Sequence, residues 1–329
     1  MEHKPILQLI KENLRADGTL PDEFELPDIA AESQYKEAEL KFALGAQDGI
    51  YLFHMSPEDI SEENSTLMGD AVWAIATDEF EKADSIFEEL TKSSLAITFT
   101  EYLKELIFNN SSTIAPHALD YAIRTIRTTD NKEVLKLALT MISPFKRTES
   151  DKELSDDIMK LGICDEFTLY VLQIVQFWKN CNDAVFEIAR KTRGWGRIHA
   201  MAYLEPSSEE IRRWVLKEGV RNSVLPDYTA FFAWEKSEAM SLLNGKLSAE
   251  DFASIREIMS ALLAEGPVLG LSIIKDPKSA VRAFLDQARY FKLGHEDYRV
   301  ISDIRVRYES GDEPDEFIVT LCKDLINGM

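Results

Sequence analysis

The chain has 329 residues, 45% of them hydrophobic, which is ample for a large core, and its net charge is −21. That charge argues against bulk affinity for nucleic acid, which needs lysines and arginines to displace counterions from phosphates, and against docking on anionic membranes. The imbalance is concentrated: residues 1–100 hold 22 acidic and 7 basic side chains, whereas residues 190–221 hold eight basic and four acidic ones, a basic island in an acidic protein.

In chain order, MEHKPILQLIKENLRADG has no uninterrupted apolar stretch and reads as a short amphipathic helix, not a signal peptide. Residues 17–28 (DGTLPDEFELPD) carry a glycine, two prolines and an acidic run, the composition of a linker. Residues 1–30 are therefore expected to form an N-terminal helix and an acidic arm. Its acids (Glu12, Asp17, Asp22, Glu23, Glu25 and Asp28) are expected to stay solvated, the alternative being that they fold back on the basic island. Residues 31–112 read as an N-terminal helical region. Within it Gly45–Met55 is ambiguous, because Asp48-Gly49 before IYLFHM is a hairpin signal in an otherwise helical setting.

Capping signals then mark helix starts. Ser56-Pro57 and Asp276-Pro277 put a capping oxygen before a proline at the first helical position. Asp130 with Glu133, and Ser207 with Glu210, have capping-box spacing. The apolar residues between have helical spacing: Val134, Leu137, Ala138 and Met141 in one segment, Ile211, Trp214 and Val215 in another. Residues 165–178 are apolar nearly all round, as a helix covered on several sides would be. Trp73, Trp178, Trp214, Trp234, Tyr228, Phe231 and Phe232 are expected in the core. The whole reads as about a dozen helices, with no sheet of more than two short strands. Cys164, Cys181 and Cys322 form no C-x-x-C, and no run approaches 18 apolar residues. Both point to a reducing, cytoplasmic setting without a membrane span.

The helix starts expected near residues 115, 131, 150, 165, 181, 194 and 207 recur at a rhythm that makes two helices a unit of roughly 30–35 residues. This rhythm resembles HEAT, armadillo and related repeats, and covers about residues 113–292. The resemblance implies an all-α fold: a right-handed α-solenoid of stacked antiparallel helix pairs, a HEAT-like superhelix over 113–329 with C-terminal capping helices. It further implies a concave face that binds another macromolecule.

Catalytic signatures such as G-x-x-x-x-G-K-[ST], G-x-G-x-x-G and G-x-S-x-G are absent, and the five histidines form no ligand spacing with the cysteines. No catalytic residue, metal ligand or cofactor is assigned, and whether the chain is an enzyme stays open. The stretch that draws the eye is TRGWGRIHAMAYLEP, residues 192–206, inside the basic island. On a helix, Trp195, His199 and Tyr203 share a stripe, with Arg193 and Arg197 on the adjacent one. Arg212, Arg221 and Asn222 follow one helix later. Near Gly194 and Gly196 the free N–H groups of a helix start can hold an anion. Two readings compete: Trp195 and His199 pack into the helix stack, or these seven residues line a partner-binding groove. The groove reading makes the chain a non-catalytic scaffold for an acidic peptide or partner protein. The alternatives are a small-anion or cofactor-binding enzyme at the same arginines, and a HEAT-like DNA glycosylase of the alkylation-repair type, which the net charge disfavours.

Overall fold

The structure, a computed structural model, describes residues 4–27, 42–56, 59–143, 145, 147–266 and 268–328. Among the described residues there are 19 α-helices, two short 3-10 turns and no strands. Polar caps set many of the helix starts. Ser61 accepts from the Asn64 N–H, Asn131 from Glu133 and Val134, Ser208 from Ile211, Ser248 from Asp251, and Asp276 from Ser279. Each satisfies a donor that the first helical turn leaves orphaned. Two expected caps shift by one residue, from Asp130 to Asn131 and from Ser207 to Ser208. The start expected at Ser56-Pro57 falls partly outside the described residues, and the following helix is capped by Ser61 instead.

Residues up to Leu204 form one compact unit and residues from Glu205 form another. The first holds α1 (Ile6–Asn13), α2 (Ala46–His54), α3 (Glu62–Ala76), α4 (Phe80–Thr91), α5 (Thr100–Asn109), α6 (Ser111–Thr128), α7 (Lys132–Ile142), α8 (Arg147–Ser150), α9 (Lys152–Gly162), α10 (Thr168–Val175), α11 (Cys181–Lys191) and α12 (Trp195–Tyr203). Consecutive helices pack as pairs (α3 with α4, α6 with α7, α9 with α10, α11 with α12), and next-but-one neighbours pack as well, such as α5 with α7 and α10 with α12. The hub is α7, which touches α4, α5, α6 and α10 and is buried from Glu133 through Ile142.

The second unit holds α13 (Glu209–Glu218), α14 (Asp227–Lys236), α15 (Ala239–Leu243), α16 (Ala249–Leu263), α17 (Pro277–Ala288), α18 (His295–Ser310) and α19 (Glu316–Asn327). Here α14 packs on α16, α16 on α18, and α17 and α18 on α19.

Three expectations are corrected. The helix count exceeds a dozen, because breaks as short as one residue separate α5 from α6. Trp73 is not core but 64% exposed. It sits off the buried face of α3, which is Met68, Ala71, Val72 and Ile75. The acidic arm does not stay wholly solvated, since Asp22 folds back to pair with Arg193.

Gly45–Met55, left open between helix and strand, is helical: Ala46–His54 is α2. Gly45, with φ of 76°, takes the left-handed turn that starts it. Gly49 is no hairpin residue. It lies so close to the Trp195 ring that an added Cβ would overlap it.

Candidate partner-binding surface

The stretch at 192–206 is built around a carboxylate of the chain itself. Asp165, before α10, accepts from the Gly196 N–H at 2.7 Å and from the Gly194 N–H at 3.2 Å. Gly194 has no side chain to cap α12, so Asp165 supplies the anion that the positive end of the helix favours. Burial pushes the Asp165 carboxyl up to about 6, against the pull of those two N–H groups and of Arg197. The free N–H groups expected at this helix start are thus already occupied.

Two of the three rings in the aromatic stripe are inside the protein, and Tyr203 is half-buried. Trp195 is 4% exposed and His199 5%. Both rings lie about 6 Å from Phe53 of α2, with the Phe53–Trp195 centroids at 6.0 Å and Phe53–His199 at 6.3 Å. Burial alone lowers the His199 imidazole to about 4, so it is neutral at pH 7, and its Nε2 has no hydrogen-bond partner. A partner docking from solvent meets neither ring, so the expectation that both line a groove gives way to the packing reading.

The arginines divide. Arg197 is half-buried, and its Nε donates to the carbonyls of Thr192 at 2.8 Å and Ala189 at 3.2 Å. It thereby closes the C-terminal end of α11, whose last carbonyls lack helical partners. Arg193 is exposed and ion-paired with Asp22. In the second unit, Arg212 donates to the Pro206 carbonyl at 2.9 Å. Arg221 pairs with Glu218 at 3.1 Å and Glu257 at 3.3 Å. Asn222 donates to the Leu225 carbonyl at 2.9 Å and holds the turn before α14. The structure thus brings Arg193, Trp195, Arg197 and His199 together at one helix start, and Arg212, Arg221 and Asn222 within the other unit.

Sequence reasoning missed a buried ionic cluster. The Lys136 ammonium on α7 is fully buried and lies 2.7 Å from Glu133, 2.7 Å from Glu166 and 2.9 Å from Asp48. The second oxygens of the two glutamates bind backbone: Glu133 accepts from the Ala96 N–H and Glu166 from the Gly45 N–H, each at 2.7 Å. Tyr170 donates to Asp48 at 3.2 Å. Burial works to lower Lys136, but Glu166, Asp48 and Glu133 together hold it well above the usual lysine range. Burial also raises the Asp48 carboxyl to about 6, with Lys136 pulling the other way. The cluster ties α2, α7 and α10 together, and its centre is filled by the ammonium. Among the described residues no group of three or more His, Cys, Asp or Glu is placed to hold a metal ion.

An open feature of the first unit lies elsewhere. A pocket of about 400 Å³ is lined by Ile107, Phe108, Ala115, Phe145, Gln173 and Phe177, with Lys104, Ser111, Ser143 and Gln176 completing it. Phe108 is 80% exposed and Phe177 63%. The Gln173 Oε1, covered from solvent, has no hydrogen-bond partner. No signal in the sequence marks this site, because its residues come from four separated segments.

No protein-family model matches the chain, and neither a curated protein nor a solved structure does. No described helix is long and apolar enough to cross a membrane.

Proposed function

We propose that the chain is a cytoplasmic protein-interaction scaffold, a right-handed HEAT-like α-solenoid, whose partner docks at the pocket between Phe108 and Phe177. The observation that carries this reading is two large apolar side chains exposed at the mouth of a mainly apolar cavity. Such contiguous apolar surface is costly in water, and it marks binding sites far more often than bare surface does. The solenoid part draws support from ion pairs that join residues with one or two helices between them, at separations of 33 to 41 residues: Lys217 with Glu250, Arg221 with Glu257, Arg256 with Asp297, and Arg124 with Asp84. The net charge of −21 favours a protein over a nucleic acid as the partner.

A second reading keeps the acidic-peptide idea at Arg193, favoured by the chain's own Asp22 bound there. The enzyme reading at the island draws no support from arginines already bonded to carbonyls and glutamates. Peptide-display selection separates the two docking surfaces. Peptides selected on the wild type are expected to lose binding to a Phe108→Ala/Phe177→Ala variant and to retain it on Arg193→Ala. The opposite pattern moves the site to the island.

A further inference from the structure

We infer that the exposed face of α3 (Glu62–Ala76) docks a basic segment of a partner protein, an arginine of that segment stacking on Trp73. This surface shares no residue with the pocket above and does not depend on it. Three observations carry it.

The first is an indole left in water. Trp73 is 64% exposed, and its ring makes no aromatic or cation contact among the described residues. The packing of α3 uses the other side, where Met68, Ala71, Val72 and Ile75 are buried. Tryptophan is among the residues that most often anchor interfaces.

The second is Gly69, one turn before Trp73. Glycine weakens a helix interior. Nothing of this chain lies within 4 Å of the place a Cβ would take there, so packing supplies no reason for it. Residues four apart are neighbours on a helix surface, so the missing side chain leaves the flank of the indole open.

The third is charge on the same stripe. At about 3.6 residues per turn, Glu62, Thr66, Gly69 and Asp70 lie within about 60° of Trp73 round the helix, with Glu63 just outside. Glu62, Glu63, Thr66 and Asp70 are all exposed. The carboxylates of Glu62, Glu63 and Asp70 have no hydrogen bond or ion pair among the described residues. The reason is in the sequence: residues 42–81 hold nine acidic side chains and no lysine or arginine. The nearest cations following α3 are engaged, Lys82 with Glu79 at 3.3 Å and His117 with Asp78 at 2.7 Å.

Together these select the occupant. Acids without cations of their own repel nucleic acid and anionic lipid and attract a cation. Arginine suits the indole better than lysine, because its planar, weakly hydrated guanidinium stacks on the ring and can fork to a carboxylate. From Glu62 to Trp73 the ridge runs about 16 Å along the axis. That exceeds one side chain, so the occupant carries several cations. Three arginines at alternate positions of an extended segment span about 14 Å.

The test titrates the full chain with fluorescein-labelled Gly-Arg-Gly-Arg-Gly-Arg-Gly and its lysine counterpart at about 50 mM ionic strength. Anisotropy gives affinity, and the indole N–H resonances of isotope-labelled protein give position, the Trp73 signal being the one missing from Trp73→Leu. The arginine peptide is expected to shift that signal and to bind about threefold tighter than the lysine one. Trp73→Leu should abolish the preference. Glu62→Gln/Glu63→Gln/Asp70→Asn should weaken both peptides at least about fivefold. Gly69→Leu should melt higher than the wild type, since leucine favours a helix, yet lose the preference as Trp73→Leu does. A merely structural role for Gly69 cannot give that pair of results. Equal binding of the two peptides, or a preference that survives Trp73→Leu or Gly69→Leu, overturns the assignment. So does binding unchanged in the triple acid variant, or no saturable binding up to about 5 mM. Binding abolished by Phe108→Ala/Phe177→Ala puts the peptide in the pocket, which overturns this surface and leaves the pocket reading standing.

Discussion

Single side chains show where physical demands hide from a linear reading. His199 was legible as one member of a stripe, but not its lack of a polar partner, because the ring that covers it belongs to α2, about 150 positions earlier. That burial has a measurable consequence. The folded-state value of His199 is lowered to about 4, against about 6.5 in an unfolded chain. Between the two, the unfolded chain binds the extra proton, so this histidine's contribution is complete above pH 6.5 and is lost as pH falls towards 4. The full loss is about 3 kcal/mol. Asp48 and Asp165, both raised to about 6, act with the opposite sign: the folded state gains stability as they protonate on acidification. His199→Phe should therefore remove the opposing effect and leave a protein that resists urea better at pH 5 than at pH 7. A variant whose pH slope matches the wild type would show that the imidazole is not held neutral. The Lys136 cluster was illegible for the same reason as the His199 environment. Asp48, Lys136 and Glu166 are ordinary charged residues until the fold places both carboxylates within 3 Å of the ammonium, and each would leave a buried unpaired charge if a partner were removed.

Helix existence was the most legible feature. The caps and the apolar spacing read in the sequence place α7, α11, α12, α13 and α17 within two residues of their observed starts, because those signals are local. What stayed hidden was how one helix closes another. The segment 192–197 offers helix-start N–H groups and arginines, chemistry open in the sequence to a ligand or to the chain's own groups, and the chain's own groups take it up. Asp165 fills the start of α12, and Arg197 fills the end of α11. Expectations about the two neighbouring arginines therefore separate. Arg197→Met removes a charged donor from the carbonyls of Ala189, Arg190 and Thr192 and should cost about 1–2 kcal/mol in denaturant unfolding. Lysine should restore little, since it lacks the Nε–H in that position. Arg193→Met removes an exposed guanidinium paired with Asp22 and should stay within about 0.5 kcal/mol. Equal losses at the two positions would contradict the end-closing role of Arg197.

At the scale of the whole chain, charge is the property that sequence alone specifies completely, and it sets up a competition. Many of the pairs in the structure lie at the surface, such as Lys4 with Glu12 and Lys92 with Glu89. Each contributes little, and salt weakens it further. Against them stands the self-repulsion of a chain at −21, most of it in the first hundred residues. Compaction crowds like charges, so screening relieves the folded state more than the expanded one. At about 0.1 M ionic strength the Debye length is about 10 Å, so repulsion across longer distances is suppressed while buried clusters such as that at Lys136 are barely touched. The repulsive sum is expected to win over the exposed pairs. Raising sodium chloride from about 20 to 300 mM should therefore raise the melting temperature by a few degrees, corresponding to about 1 kcal/mol. Neutralising part of the excess by Glu23→Gln/Asp70→Asn, exposed acids of the first hundred residues, should reduce that salt response. A melting temperature that falls with salt would mean that the surface pairs, and not the net charge, govern the stability of this fold.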